Sequence, residues 1–410
     1  MSGLAVALIG GGRWGRTHAS VLAQLSDRVE RVLWVSRHNN DALNAFLADR
    51  MEARDRFTLL ESLDDALALR PDAAIVATPA ADHAGTSETL LRQGVPTLVE
   101  KPLALSVEDA RRLVDLAAER SVPLLVGLHL LEAPFLHHFL RLSVGRAVAV
   151  AELEWLDPEQ EIRQGVVKSS NLTTHKVDEI MPHLWSMLHL VDDNVEPQLR
   201  AVKPLPQGAV EAEVGLGRSR ATLRFGRRAL GRKRWIRLEF RDGGSAELDF
   251  TIEPGVIVID GVQRPDFDGN CKSSPLATEL TSFLDIIRSG QDFSSSPQLA
   301  SRCIGAVELA EAVRTRLIEA EAEAVAVRLA HGGSLRDPDV STWIIDNIAP
   351  LLHIQEPRTH NERRELLELI VDAVEAANLP DNVRDDGLRP MIATIWQSDF
   401  FGHMTRGWSA

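Results

Sequence analysis

The chain has 410 residues and a formal net charge of −14, with 45 Lys and Arg against 59 Asp and Glu. This length predicts two or three domains, and the acidic balance argues against nonspecific nucleic-acid binding. No apolar run is long enough to cross a bilayer, so no membrane partner is expected. The first residues lack the basic region of a signal peptide, and two cysteines are too few for a disulfide framework or a metal site. We therefore expect a cytoplasmic protein without a metal.

A glycine-rich turn follows the first apolar run, residues 5–9. Gly10, Gly12 and Gly15 have the G-x-G-x-x-G spacing of dinucleotide-binding turns. In such turns the first glycine permits the tight bend, the second lets the backbone approach a pyrophosphate, and the third lets the helix pack on its strand. The pattern predicts a nucleotide site at the N-terminus of this helix.

The residues after the second predicted strand, 31–35, indicate which cofactor binds. NAD-specific proteins place an acidic residue here to hold the ribose 2′-hydroxyl. This chain has Ser36 and Arg37 instead, with no carboxylate until Asp41. Because arginine suits phosphate geometry, the sequence favours NADP, with NAD as the alternative. The alternative is that Arg37 is an arginine on a solvated loop with no role in cofactor binding.

Two further motifs follow predicted buried strands. Residues 72–77 form a strand that leads into Thr78, Pro79 and His83, and residues 97–100 form a strand that leads into Lys101. The segments GGGRWG, ATPAADH and VEKPLALS together resemble the Gfo/Idh/MocA family of nicotinamide oxidoreductases. The similarity continues through residues 126–135 and ends near Arg328.

The order of apolar patterns predicts the architecture. Alternating strands and helices indicate a Rossmann doubly wound parallel sheet, and successive strands from Ala147 indicate an α+β domain with a large, mostly antiparallel sheet. Helices are predicted over 276–288 and 297–329, and a helical C-terminal region is appended. The predicted domains are 1–125 for NADP binding, 126–330 for substrate binding and oligomerisation, and 331–410 as the extension.

The motifs and the resemblance together imply a set of cofactor-binding residues. They are Gly10, Gly12, Arg13, Trp14, Gly15, Ser36, Arg37, Thr78, Pro79, His83, Glu100 and Lys101. Lys101 is also the first catalytic candidate, because a lysine fixed after a buried strand can donate a proton or hold a substrate oxygen. The alternative is a structural ion pair with Glu100. The absence of tyrosine excludes a phenol as the proton donor.

The resemblance implies a second catalytic group on a helix within residues 176–191. His183 matches the family's proton-exchanging histidine, and Glu179 matches its acidic partner, with Asp178 as the alternative. A carboxylate bonded to one imidazole nitrogen fixes the tautomer of the ring. Pro182 is predicted at the first helical position, which would leave Glu179 outside the helix. A packing role between Trp185 and Met187 is the other explanation of His183.

Substrate contacts are predicted at His129, Arg163, Lys168 and Lys176. Residues 169–174 replace the glycine pair that the family carries before the catalytic helix, so the substrate cannot be named. Three functions stay open. The first is hydride transfer at a carbonyl or alcohol carbon of a sugar-, cyclitol- or nucleotide-sugar-like substrate, the second is imine reduction in a natural-product tailoring pathway, and the third is nucleotide sensing without catalysis.

Nine Lys and Arg and no acidic residue lie between Arg218 and Arg237. An exposed hairpin with outward arginines explains this cluster, and a contact with an acidic carrier protein or with the acidic tail is the alternative. The tail carries a helical apolar stripe over 359–377. We expect a homodimer or homotetramer that acts on a small-molecule substrate.

Overall fold

A computed structural model describes residues 3–49, 51–163, 166–169, 171–194, 196–264, 274–290, 292–352 and the positions 365 and 368. The chain divides into two compact units. The first comprises Met1–Val144, Trp185–Asn194 and Asp266–Glu308, and the second comprises Gly145–Leu184, Val195–Pro265 and Leu309–Ala410. Each unit thus draws on three separate segments, and the continuous domain boundaries that we inferred from the sequence stay a prediction.

The first unit contains a six-stranded parallel sheet in the order β3-β2-β1-β4-β5-β6. Its strands are β1 (Leu4–Ile9), β2 (Val29–Val35), β3 (Phe57–Leu60), β4 (Ala73–Val76), β5 (Thr97–Glu100) and β6 (Leu124–Gly127). Every residue of β4, β5 and β6 is buried, as expected for strands covered on both faces. The strand order reverses between β1 and β4, which confirms the doubly wound topology and points to the carboxyl ends of these strands as the ligand-binding edge.

Helices connect the strands of this sheet and continue through the rest of the chain. They are α1 (Arg13–Gln24), α2 (Asn40–Ala48), α3 (Leu63–Ala68), α4 (Ala80–Arg92), α5 (Val107–Arg120), α6 (Pro134–Arg141), α7 (Lys176–Val191), α8 (Pro275–Ser289), α9 (Ala300–Ala330) and α10 (Pro338–Ile348). Helices α8 and α9 confirm the two predicted late helices. Among the described residues, no helix is long and apolar enough to span a membrane.

The second unit contains an eight-stranded sheet in the order β10-β11-β12-β7-β13-β14-β15-β16. Its strands are β7 (Val148–Leu156), β10 (Gln198–Pro204), β11 (Val210–Leu216), β12 (Ser219–Gly226), β13 (Lys233–Phe240), β14 (Ser245–Asp249), β15 (Val256–Ile259) and β16 (Val262–Gln263). A separate hairpin joins β8 (Gln160–Arg163) and β9 (Val166–Ser169). All pairs are antiparallel except β7 with β12, so the mostly antiparallel sheet is confirmed.

The C-terminal extension begins as predicted with helical structure. Helix α10 starts at Pro338, where a missing backbone N–H costs no hydrogen bond, and a short 3₁₀ segment, Ala349–Leu352, follows it. The predicted helix over 359–377 lies outside the described residues.

Candidate nucleotide and catalytic site

The glycine turn after β1 is fixed by the chain's own backbone. Gly10 has φ +126°, and a Cβ there would lie 2.3 Å from the carbonyl oxygen of Ala77. A Cβ at Gly15 would lie 2.0 Å from the carbonyl oxygen of Gly10. That same oxygen accepts a hydrogen bond of 2.8 Å from the indole of Trp34. Both glycines are therefore required by the fold itself.

Gly12 differs from its neighbours, because a Cβ at this position would meet no atom within 4 Å. Helix α1 begins directly after it, with no side-chain cap and no acidic residue in the first turn. The first N–H groups of a helix attract anions. Among the described residues the buried hydroxyl of Thr78, just beyond β4, has no hydrogen-bond partner. This edge of the sheet thus fits the pyrophosphate and ribose of a dinucleotide.

The two residues predicted to select NADP have different surroundings. Ser36 is buried, and its hydroxyl donates to the carbonyl of His38 within the same loop. The side chain of Arg37 is 74% exposed, and its guanidinium lies 3.8 Å from the carboxylate of Asp82 in the first turn of α4. Of the two residues, Arg37 is therefore the one whose side chain is accessible as a hydrogen-bond donor.

Glu100 and Lys101 end β5 as predicted, and Glu100 has a partner that the sequence did not indicate. His18 of α1 lies with its Nε2 2.7 Å from the Glu100 carboxylate, and both side chains are buried. The other carboxylate oxygen accepts the backbone N–H of Lys101 at 3.2 Å. Burial acts to raise the pKa of Glu100, but the hydrogen bond and charge of His18 outweigh it and lower the pKa. Glu100 thus fixes the backbone that carries Lys101.

His83 joins two of the predicted motifs. Its Nδ1 lies 2.7 Å from the carbonyl oxygen of Pro102, and its Nε2 lies 3.0 Å from that of Thr78. Burial lowers the pKa of this imidazole, so the ring is neutral and donates to one of the two carbonyls. Pro79, the residue after Thr78, is the N-cap residue of α4. His83 therefore holds the loops after β4 and β5 together.

His129, a predicted substrate residue, lies beside the glycine turn. Its ring centroid lies 6.3 Å from that of Trp14 in the first turn of α1. Burial lowers the pKa of His129 to about 4, and the charges of Lys101 and His18 contribute in the same direction. The imidazole is accordingly neutral at pH 7.

His183 lies in α7 and stacks on an indole that our sequence analysis did not connect with it. Trp155 of β7 faces the His183 ring at 4.2 Å between centroids, with an angle of 11° between the planes. The guanidinium of Arg234 lies 3.8 Å from the centroid of the Trp155 ring. His183 is 7% exposed. The stack fixes the plane of the imidazole.

The predicted start of this helix is wrong. Helix α7 begins at Lys176, and Pro182 lies in its interior rather than at the first position. The turn before Pro182 is held by side chains, because Asp178 pairs with Arg314 and Glu179 accepts from Arg227 at 3.2 Å. These ties offset the backbone hydrogen bond that a proline removes. Glu179 therefore lies within the helix, four residues before His183 and on the same face.

Of the other three predicted substrate residues, the structure describes the side chain of Lys176. The side chain of Lys176 is fully buried and lies 2.7 Å from the carboxylate of Glu321. Arg163 and Lys168 occupy backbone positions in β8 and β9, and their side chains lie outside what the structure describes. The buried ion pair accounts for Lys176 without a substrate.

Most of the basic cluster is neutralised within the chain. Seven of its nine members have acidic partners, namely Arg224, Arg227, Arg228, Arg232, Lys233, Arg234 and Arg237. Arg218 and Arg220 are exposed. Glutamates of β11 and β7 lie opposite Arg224 in register. Arg227 and Arg228 instead pair with carboxylates of α7 and α10. A carrier protein is not needed to explain the cluster.

Comparison with known proteins agrees with the motifs. Residues 4–128 match the profile of the oxidoreductase family with an NAD-binding Rossmann fold, named Gfo/Idh/MocA. The N-terminal Rossmann region of this chain is thus similar to that of the Gfo/Idh/MocA family. Among the described residues, no group of three or more His, Cys, Asp and Glu is arranged to hold a metal ion.

Curated Gfo/Idh/MocA relatives share between a quarter and a third of aligned residues. A UDP-N-acetylglucosamine 3-dehydrogenase from Acidithiobacillus ferrooxidans is 29% identical over 171 residues, covering 42% of this chain and 51% of that protein. A myo-inositol dehydrogenase from Streptomyces leeuwenhoekii is 33% identical over 124 residues, covering 30% and 36%. The chain thus spans about half or less of the length of these relatives.

Solved structures show that the similarity of fold extends further along the chain. The UDP-N-acetylglucosamine 3-dehydrogenase GnnA of Acidithiobacillus ferrooxidans matches with a TM-score of 0.62 and 24% identity, covering 77% of this chain and 98% of that one. The 3-ketoreductase KijD10 of Actinomadura kijaniata, solved with NADP and TDP-benzene, matches with a TM-score of 0.61 and 18% identity over 77% and 98%. The fold class is therefore confirmed, and this chain carries residues that these structures lack.

Proposed function

We propose that this protein is an NADP-dependent oxidoreductase that acts at a carbonyl or alcohol carbon of a sugar-, cyclitol- or nucleotide-sugar-like substrate. The observation that carries the proposal is the lysine at the end of β5, fixed by Glu100 in the same unit as a glycine turn that is open to a dinucleotide. The curated relatives named for UDP-N-acetylglucosamine and myo-inositol support the substrate class. We expect the protein to work as a homodimer or homotetramer in the cytoplasm.

The cofactor, when bound, supplies the hydride acceptor or donor at its nicotinamide. Gly12, the first turn of α1 and Thr78 hold its pyrophosphate and ribose, and Arg37 binds the 2′-phosphate. Lys101 holds the substrate oxygen and polarises the carbon–oxygen bond. His183 exchanges the proton of the substrate hydroxyl, and Glu179 on the same face of α7 is its acidic partner.

The proposed function is tested by measuring turnover and cofactor affinity in the same set of variants. UDP-N-acetylglucosamine and myo-inositol are offered with NADP, and reduced nicotinamide is followed by its absorbance. A general acid or base supplies about 10²- to 10⁴-fold in rate, so Lys101→Ala and His183→Ala should each lower kcat by about that factor. NADPH affinity should change little in either variant. Lys203→Ala, at an exposed position in β10, is the control.

The same experiment separates the alternatives. Turnover of an imine that needs Lys101 but not His183 would identify an imine reductase, because a C=N bond needs only a proton donor. NADPH binding without turnover of any carbonyl, alcohol or imine substrate would identify a nucleotide sensor. Near-wild-type turnover in both alanine variants would exclude the assigned roles.

A further inference from the structure

A cluster of buried charges lies within the second unit, and of its residues only Glu179 has a role in the proposed function. Three cations, Lys176, Arg227 and Arg228, meet three anions, Glu179, Glu321 and Asp346. Lys176 and Glu321 are fully buried, and Asp346 is 1% exposed. The charges balance, which makes the cluster tolerable in a low-dielectric interior.

Asp346 is the centre of this cluster and belongs to the C-terminal helix α10. Its carboxylate lies 2.8 Å from Arg228, 3.3 Å from Lys176 and 3.7 Å from Arg227. Burial acts to raise the pKa of Asp346, but these three cations outweigh it and hold the pKa far below its usual value. Asp346 is therefore ionised at neutral pH.

The next residue of α10 strengthens the same contact. The side-chain amide of Asn347 donates to Glu321 of α9 at 2.7 Å, while Lys176 approaches the other oxygen of that carboxylate at 2.7 Å. Lys176 also donates to the carbonyl of Gly208 at 3.2 Å. Helix α10 is thereby tied to the first residue of α7.

Arg227 links Asp346 to the segment before α7. One guanidinium nitrogen of Arg227 donates to the carbonyls of Asn171 and Thr174 and to the carboxylate of Glu179. Asn171 in turn accepts the backbone N–H of Thr173 at 2.8 Å. A single arginine thus holds both ends of residues 171–174.

We propose that Asp346 is a positioning residue, which sets the conformation of residues 171–179 through Lys176 and Arg227. The extension then has a defined task, because it supplies the anion that orders the loop leading to Glu179 and His183. The effect on turnover rests on the proposed function, whereas the effect on the loop does not.

The first test compares Asp346→Asn with Asp339→Asn on the same helix. Asp339 accepts the backbone N–H of Gln207, an interaction that asparagine retains. We expect amide hydrogen exchange over residues 171–179 to become about 10-fold faster or more in Asp346→Asn alone. Misplacement of catalytic groups by about 1 Å can cost on the order of 100-fold, so kcat should fall about 10- to 100-fold with little change in NADPH affinity. Wild-type exchange over 171–179 in Asp346→Asn would overturn the proposal.

A second variant separates positioning from charge balance. Adding Lys176→Met to Asp346→Asn removes one cation and one anion, so the cluster is again neutral. We expect thermal stability to recover in part while exchange over 171–179 stays fast and kcat stays low, because Arg227 still lacks the carboxylate of Asp346. If exchange over 171–179 and kcat both returned to wild-type values, Asp346 would act through charge balance only, and the proposal would be overturned.

Arg227→Lys covers the case in which Asp346→Asn does not fold. An ammonium keeps the charge but cannot replace the guanidinium fork that joins Asp346 to the loop carbonyls. Fast exchange over 171–179 supports the proposal, and wild-type exchange with wild-type turnover overturns it. If the wild-type protein turns over no substrate at all, the proposed function fails, and the exchange measurement still decides the role of Asp346.

Discussion

The guanidinium of Arg37 and the carboxylate of Asp82 lie 3.8 Å apart, both at the edge of the parallel sheet where a dinucleotide would bind. Both side chains are largely exposed, so this pair is worth little to stability. Under the proposed function Asp82 would compete with the 2′-phosphate of NADP for the Arg37 guanidinium.

We expect NADPH to bind more tightly than NADH, and Arg37→Ala to remove the preference. Loss of one charge-assisted contact should cost about 1.5–3 kcal/mol in NADPH binding. Asp82→Asn should have the opposite effect, raising NADPH affinity while leaving NADH affinity unchanged. Fluorescence titration of both cofactors measures this, and equal affinities in the wild-type protein would contradict it.

Gly12 and Gly15 allow the fold and the cofactor site to be tested separately. In Gly12→Ala the new Cβ meets no protein atom, so the unfolding midpoint should match that of the wild type while NADPH affinity falls about 10-fold or more. In Gly15→Ala the Cβ would lie 2.0 Å from the Gly10 carbonyl oxygen, and overpacking of this kind costs about 1–3 kcal/mol or more. Urea unfolding beside NADPH titration distinguishes the two. If Gly12→Ala bound NADPH as tightly as the wild type, the glycine turn would not be part of the cofactor site.

The buried pair of His18 and Glu100 should be costly to break. Removing one member of a buried ion pair typically costs about 3–5 kcal/mol, because the other is left without its partner. We therefore expect His18→Ala to lower the free energy of unfolding strongly. Glu88→Gln is the control, since Glu88 pairs with Arg92 and Arg112 at the surface, where such contacts are worth under about 1 kcal/mol. Equal losses of unfolding free energy in the two variants would show that the buried pair contributes no more to stability than a surface pair.

His129 should make stability fall as the pH is lowered below neutrality. In the unfolded chain its imidazole takes up a proton near pH 6.5, whereas in the folded protein its pKa is about 4. The folded state therefore binds fewer protons between these values, and stability is lost as pH falls through that window. The shift corresponds to about 1–3 kcal/mol.

The comparison with His129→Gln isolates this contribution. Burial raises the pKa of Glu279 well above its usual value, so that group acts in the opposite direction, with stability lost as pH rises. Because Glu279 is present in both proteins, its effect cancels in the difference. Urea unfolding at pH 7 and pH 5 should give a smaller change for His129→Gln than for the wild type. Equal changes would show that the imidazole is not held neutral.

The sequence predicted the parts of this protein that depend on local pattern. Gly10, Gly12 and Gly15 are placed by turn geometry, and the alternating residues of β7 and β13 identify a half-exposed sheet. Lys101 could be placed at the end of a strand because the apolar run before it is short and bounded. In each case the information lies within about ten residues of the chain.

The parts that could not be predicted depend on residues far apart in sequence. Trp155 stacks on His183, and Asp346 meets Arg227, across separations that no periodicity encodes. Pro182 was misplaced because its local preference for a first turn was overridden by ion pairs from Arg227 and Arg314. The acidic partners of the basic cluster likewise lie far from it in sequence, as in the pair of Arg228 with Asp346.

The mixed pairing of β7 has a consequence for how the protein is made. This strand is central in its sheet, yet its neighbours β12 and β13 come about 70 to 90 residues later in the chain. On the ribosome, β7 emerges first with both edges uncovered and with Leu153 and Trp155 exposed to solvent. Non-local pairing of this kind folds slowly and leaves time for association with other chains. Production of soluble protein should therefore respond to slower synthesis and to chaperones more than to the stability of the finished fold.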